Sequence, residues 1–360
     1  MERSRPRWWR LALALPLTVA SVACLAMSWQ GIRGSHPAYG VTLLVVAVVG
    51  IVVILTAVRP RPVRTSGTAH AGDPAENSGT SGTSSTSSTS STSGTSAAGE
   101  SAGPPAERPA GRRVRTRTGR TLSAIGVLLL TVVLVWLQPF AAQGLDLASL
   151  GEGATVDVTT SFNRIDLAPT NRRAEVGLVF YPGARVDPQA YVPLLTRVAA
   201  QGYRVVIVKP PYGIPMLAPG AAGRIVDDWA TVETWAVGGH SLGGVMAAQY
   251  VTKERPKVEA LVLWASYPAG NLSGRQRLAV TSIYGTNDGL TTVAEIDASQ
   301  ADLPPSTQFV PIEGAVHAYF GDYGVQPGDG RPTVSRARAQ DQIVEATVDA
   351  LSHLGARSGG

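Results

Sequence analysis

From about residue 150 onward the chain alternates short, nearly unbroken apolar runs with helical stretches. The runs are VGLVFYPG (176–183), YRVVIVKPP (203–211), TWAVGGHS (234–241), VEALVLWASYP (258–268), LAVTSIYGTND (278–288) and TQFVPIEGAVH (307–317). Continuous Val, Ile and Leu without polar alternation is the pattern of strands buried on both faces. The segments between them predict helices at 187–201, 221–231, 242–254, 291–301 and 335–354. Strands alternating with helices imply right-handed crossovers and an α/β fold with a mostly parallel sheet covered on both sides. The preceding ATVDVTTSFNRIDLAP (154–169) alternates apolar with polar positions and predicts one or two antiparallel edge strands. Residues 150–360 suffice for one such domain with its own core.

The first part of the chain has a different pattern. Residues 11–29 and 39–58 carry no charged side chain, and 122–142 form a third run of the same kind. Each is long enough to cross ~30 Å of hydrocarbon as a helix, so the expectation is two transmembrane helices within 1–58 and a third at 121–142. A secretory signal peptide is the competing reading of the first run, which follows MERSRPRWWR. Between the second and third runs, residues 59–120 hold SGTSGTSSTSSTSSTSGTSAAGESAG between arginine clusters. That composition has almost nothing to bury and predicts a disordered Ser/Thr/Gly-rich linker.

Charge assigns an orientation. Arg3, Arg5, Arg7 and Arg10 precede the first run, Arg59, Arg61 and Arg64 follow the second, and Arg112, Arg113, Arg115, Arg117 and Arg120 precede the third, whereas Arg33 alone lies between the first two. The positive-inside bias places the N-terminus and linker in the cytoplasm and everything after Phe140 on the outer face of a multi-pass protein. Residues 1–149 hold 14 Lys+Arg against 6 Asp+Glu, and residues 150–360 hold 17 against 20. The basic excess therefore belongs to the anchor, which excludes a nucleic-acid partner for the globular part. Cys24 is the single cysteine, so no intrachain disulfide forms.

In open parallel sheets the functional crevice lies beyond the carboxyl ends of the strands. There the run 234–241 leads into GHSLG, with Gly239, Ser241 and Gly243 in a G-x-S-x-G elbow. A serine forced into a tight strand-to-helix turn needs neighbours without side chains. At the start of the following helix, orphan N–H groups favour developing negative charge. Serine is a weak nucleophile unless a base takes its proton. Of five histidines, His317 follows the last strand, whereas His240 would point to the opposite side of its strand and is read as packing. Asp288 ends the fifth run in a turn sequence, with Glu313, Asp322 and Asp302 as substitutes for the acid. Ser241, Asp288 and His317 follow successive strands in the order nucleophile, acid, base.

With VFYPGARVDPQAYVPLL, GGHSLGGVMA, LVLWASYPAGNLS, YGTNDG and HAYFGDYGVQPGDG in place, the segment from about 174 to 355 resembles the α/β-hydrolase superfamily, and within it the compact α/β-hydrolase family 5, in membrane-anchored bacterial form. The resemblance implies an α/β-hydrolase fold, Ser241 as nucleophile, His317 as general base and then acid, and Asp288 as the group that orients the imidazole. It also implies an oxyanion hole from the N–H of Leu242 and of Gly183 or Ala184. Only AGNLSGRQR follows the run that ends at Pro268, too little for a lid domain. The mouth is then roofed by loops, with Tyr181, Tyr212, Trp264 and Tyr319 as pocket candidates. No metal cluster, phosphate loop or dinucleotide fingerprint is present, and no cofactor is expected.

An open serine site on the outer face suits a carboxylic-ester hydrolase acting through an acyl-enzyme on a small-molecule or lipid-like ester. A thioesterase or amidase would use the same three groups. A non-catalytic hydrolase-fold domain for binding or assembly is the alternative from another class.

Overall fold

The computed structural model describes residues 8–58, 111–144 and 155–358. The Ser/Thr-rich linker up to residue 110 and the arginines at 3–7 and 59–64 lie outside the described residues.

Four helices precede the sheet: α1 (Trp8–Met27), α2 (Trp29–Gly34), α3 (Ala38–Val58) and α4 (Gly111–Trp136). Two of them, α1 and α3, are long and apolar enough to cross a membrane, while the apolar part of α4 is the shorter Thr121–Trp136. The third apolar run expected at 121–142 thus begins at Thr121 but ends at Trp136, shorter than the other two. Residues 111–120, read from the sequence as linker, are helical, and the helix stops at Trp136. Pro139 cannot continue a helix, because it has no N–H and disfavours helical backbone before it. Beyond the stop, Phe140 pairs in parallel fashion with Val186 of the globular domain. Cys24, Ile32, Tyr39, Leu43 and Leu134 form a small core among these helices, and Tyr39 Oη donates to the Leu134 carbonyl at 2.6 Å.

The globular part is one eight-stranded sheet: β1 (Val156–Thr160), β2 (Arg164–Pro169), β3 (Val176–Tyr181), β4 (Arg204–Val208), β5 (Thr234–His240), β6 (Val258–Trp264), β7 (Ala279–Gly285) and β8 (Gln308–Ile312). Its order is β1-β2-β4-β3-β5-β6-β7-β8. The edge segment supplies two strands, both antiparallel to their neighbours, and β4, β3, β5, β6, β7 and β8 are parallel. Five helices complete the fold: α5 (Val192–Ala200), α6 (Ala221–Asp228), α7 (Leu242–Tyr250), α8 (Val293–Ser299) and α9 (Arg336–Ser358).

Strand side chains alternate between faces. Leu178, Phe180, Val205 and Ile207 pack with α5 and α9, and Val179, Tyr181, Val206 and Val208 with α6 and α7. Both faces are therefore buried, the physical reason for the unbroken apolar runs. Helices α5 to α8 are shorter than the patterns suggested, whereas α9 runs on to Ser358. The segment 187–201, for example, opens with a 3₁₀ turn (Pro188–Tyr191), and Asp187 caps it by accepting from Gln189 N–H at 3.0 Å.

Candidate active site

The parallel strands all end at one edge of the sheet, and the candidate residues gather there. Ser241 links β5 to α7 with φ 53° and ψ −125°. A non-glycine residue at positive φ stores strain of about 1–3 kcal/mol and persists only where its surroundings hold it. Here its N–H donates to the Trp264 carbonyl at 2.9 Å, and its own carbonyl accepts from Ser266 Oγ at 2.7 Å. The flanking glycines are sterically required. A β-carbon at Gly239 would stand 2.6 Å from the Tyr181 carbonyl oxygen, and one at Gly243 would collide with the carbonyls of Tyr181 and Pro182.

Asp288 and His317 meet across the ends of β7 and β8. His317 Nδ1 lies 2.8 Å from Asp288 Oδ2, both side chains being buried. Asp288 Oδ1 accepts from the N–H groups of Leu290 at 2.8 Å and Thr291 at 2.7 Å. The carboxylate is thereby held rigidly and can receive the Nδ1 proton, which leaves Nε2 as the free face of the imidazole. Ser241 is half-buried, and its Oγ forms no hydrogen bond among those of the described residues. Of the substitute acids, Asp322 bonds Gln340 at 2.8 Å, Glu313 lies near Thr286 at 3.4 Å, and Asp302 ends a 3₁₀ turn.

His240 is fully buried, as expected of a packing residue, yet it packs directly against His317, with ring centroids 4.5 Å apart. Its Nδ1 is 2.8 Å from Tyr191 Oη, which accepts from Gly183 N–H at 2.9 Å. Burial, reinforced by the neighbouring His317, pushes the His240 pKa well down, so a neutral ring backs the imidazole of His317.

Of the two candidates for the second oxyanion donor, Gly183 N–H is already engaged by Tyr191, whereas Ala184 N–H has no hydrogen-bond partner among the described residues. Leu242 stands at the first position of α7, where a backbone N–H is free of intrahelical partners.

The pocket candidates disperse. Tyr181 is fully buried on the α6/α7 face, where its Oη accepts from Ala222 N–H at 2.9 Å. Trp264 is buried on the opposite face and donates from Nε1 to Thr347 of α9 at 3.0 Å. Both end their strands, and period-two alternation turns their rings into the two cores instead of the crevice. Tyr212 points to the N-terminal helices, with Oη 3.0 Å from Thr42 Oγ1. Tyr319 is half-buried with the Arg336 guanidinium 4.6 Å above its ring. A cavity of about 550 Å³ opens elsewhere, lined by His36, Phe162, Lys209, Leu217 and Arg224 among others. None of Ser241, Asp288 or His317 borders it, so cavity size does not locate the chemistry here.

Two carboxylates at this edge were missed by sequence reasoning. Asp329 accepts from the N–H groups of His317 at 3.0 Å, Ala318 at 2.8 Å and Gly289 at 3.3 Å. It thus staples the histidine loop to the loop that bears Asp288. Its sequence context, QPGDGRP, signals only a turn. Asp187 is buried beneath Gly34 of α2, and burial raises its pKa to about 6, against the lowering effects of the Gln189 and Ala142 N–H groups and of Lys209. Between the ordinary carboxylate value and about 6, the folded state holds a proton that the unfolded state has lost. Stability therefore falls as pH rises through that window and levels off above it, a loss of about 3 kcal/mol. Asp187→Asn is expected to flatten this dependence. Thermal unfolding of the detergent-solubilised protein at pH 4.5 and 7.5 checks it, and an unchanged difference between the two midpoints counts against the assignment.

The strand order and the elbow at the end of β5 define an α/β-hydrolase fold, and residues 177–341 match the model described as the alpha/beta hydrolase family. Among solved structures, an esterase from Thermogutta terrifontis with butyrate bound aligns at 17% identity and a TM-score of 0.40, over 58% of this chain and 98% of its own. An esterase from Pyrobaculum calidifontis aligns at 16% identity and 0.41, over 54% and 84%. No curated protein sequence matches the chain. Among the described residues no group of three or more His, Cys, Asp or Glu could hold a metal ion.

Proposed function

We propose that residues 150–360 form a serine hydrolase of carboxylic esters, held at a membrane by a multi-pass anchor with the hydrolase domain on its outer face. The buried Asp288–His317 hydrogen bond at the same sheet edge as the positive-φ Ser241 elbow carries this reading. Ser241 Oγ attacks the ester carbonyl carbon as its proton passes to His317 Nε2. The negative charge on the carbonyl oxygen is received by the N–H groups of Leu242 and Ala184. Collapse breaks the bond to the alcohol, which takes the proton from His317, and leaves an acyl-serine. Water, deprotonated by the same imidazole, then releases the acid and restores Ser241. The Ser241–His317 hydrogen bond closes on substrate binding, a common behaviour of unliganded sites.

Exposure supports the anchor. Leu15, Val19, Val22, Val41, Leu44, Val48 and Val52 of α1 and α3 are all exposed, and water would not tolerate so much continuous apolar surface. In α4 the apolar stretch crosses with the arginine-rich turns before it at the cytoplasmic interface.

Labelling of the full-length, detergent-solubilised protein with a fluorophosphonate tests the chemistry. Covalent labelling at Ser241, lost in His317→Ala, is expected. Folded protein that takes no label overturns the catalytic reading in favour of a binding domain.

A further inference from the structure

The loops that carry the candidate site are fastened to the segment leaving α4. Phe140 N–H donates to the Arg185 carbonyl at 2.7 Å, and Asp187 N–H to the Phe140 carbonyl at 3.0 Å. The Arg185 guanidinium donates to the Gln138 carbonyl at 3.1 Å and lies 4.9 Å above the rings of Trp136 and Phe140. On the other side Gln143 N–H donates to the Asp322 carbonyl at 2.7 Å, and the Tyr323 ring lies 6.0 Å from that of Phe140. A third loop joins through Tyr212, bonded to Thr42 of α3, and through Gly213, whose carbonyl accepts from Arg185 N–H at 2.7 Å. The segment leaving α4 therefore packs against the loops that carry the candidate site.

The distance this leaves is short. From Arg185, bonded to the end of α4, to Pro182, whose carbonyl abuts Gly243 just after Ser241, the chain runs three residues, at most roughly 10 Å. The same loops carry apolar side chains that stay exposed among the described residues: Met216 is 53%, Leu217 54% and Val325 87% exposed. These tips stand next to loop residues that touch the ends of α3 and α4, and apolar side chains so placed on a membrane-spanning protein would meet the headgroup boundary.

We propose that the site draws its substrate from the adjacent leaflet, so that the ester is a long-chain acyl amphiphile lodged in the membrane, and that Met216, Leu217 and Val325 dip into that leaflet to hold the mouth against it. This rests on the ester-hydrolase reading above. The acyl carbonyl of such a molecule lies at the headgroup boundary, so it reaches Ser241 with little withdrawal from the bilayer. A water-soluble short-chain ester gains nothing from the arrangement.

The test uses the full-length protein in vesicles of a diether phosphatidylcholine, which itself offers no ester. A long-chain fluorogenic ester embedded in the vesicles and a water-soluble short-chain nitrophenyl ester are assayed in parallel. Wild type is expected to cleave the embedded ester. In M216E/L217E/V325E the ratio of embedded to soluble turnover falls at least about tenfold, since carboxylates replace apolar anchors. V325E alone, on a separate loop, lowers the ratio in the same direction and guards against a folding defect in the triple variant. A ratio unchanged within about twofold in both variants, or a wild type that cleaves the soluble ester and not the embedded one, overturns this inference and leaves the hydrolase reading standing. A wild type that cleaves neither removes both.

Discussion

Alanine at position 241 is expected to lower kcat/KM for a short-chain aryl ester by at least about 10⁴-fold, while leaving thermal unfolding within about a degree of wild type. The side chain is half-buried and its Oγ forms no hydrogen bond among those of the described residues, so little packing is lost with it. The backbone at φ 53° is held by the Trp264 carbonyl and the Ser266 hydroxyl, neither of which touches Oγ. What disappears is the atom that accepts the acyl group. Because nucleophile, base and orienting acid act as a unit, removing His317 as well adds little to the loss. Steady-state kinetics on S241A, H317A and the double variant, with unfolding followed by circular dichroism, measure this. An S241A enzyme that keeps a tenth of wild-type activity would remove Ser241 from the mechanism.

Gly243→Ala is expected to damage stability and activity together. A methyl group there meets the carbonyl oxygens of Tyr181 and Pro182, which are backbone atoms and not the ends of flexible side chains. Relief requires either β3 or the start of α7 to move. Overpacking of that kind costs about 3 kcal/mol, equivalent to roughly 6–12 °C in the midpoint of a domain of this size. The displaced peptide also leads into Gly183 and Ala184, so turnover should fall further than stability alone accounts for. Differential scanning calorimetry and kinetics below the midpoint separate the two effects. Gly243→Ala with wild-type stability would mean that the elbow does not press on β3 as described.

Much of the fold was legible because it is encoded locally. Val205 to Val208 read as a buried strand whichever neighbours flank them, since four successive apolar residues in extended chain must cover both sheet faces. The elbow was legible for a related reason: two glycines around a serine at a strand end describe a backbone requirement, and the 2.6 Å that a β-carbon at Gly239 would leave to the Tyr181 carbonyl oxygen states that requirement as a distance. Asp288 and His317 could be selected by their place after strands, although nothing in either stretch names its partner 29 residues away.

Pocket and support were not legible. Tyr181 and Trp264 end their strands just as the candidate residues do, but which face each ring takes depends on strand register and on the helix above it. Asp329 looked like one more turn residue until the chain brought it beneath the backbone of His317. Tyr191 could not be linked to Gly183 and His240 from order alone. Pro139 ended a run that hydropathy extended to residue 142, and Phe140 joined the globular domain instead.

Hydrophobic pattern and glycine placement by themselves determined the strand and helix order, the position of the serine elbow and the apolar helices, because each depends on residues within a few positions of one another. The tertiary structure alone decided that Asp288 bonds His317, that Gly183 N–H is engaged by Tyr191, and that the exit from α4 pairs with the Arg185 loop. Those contacts join groups from eight to several tens of residues apart, and their partners are selected by packing geometry, which no local stretch of sequence contains.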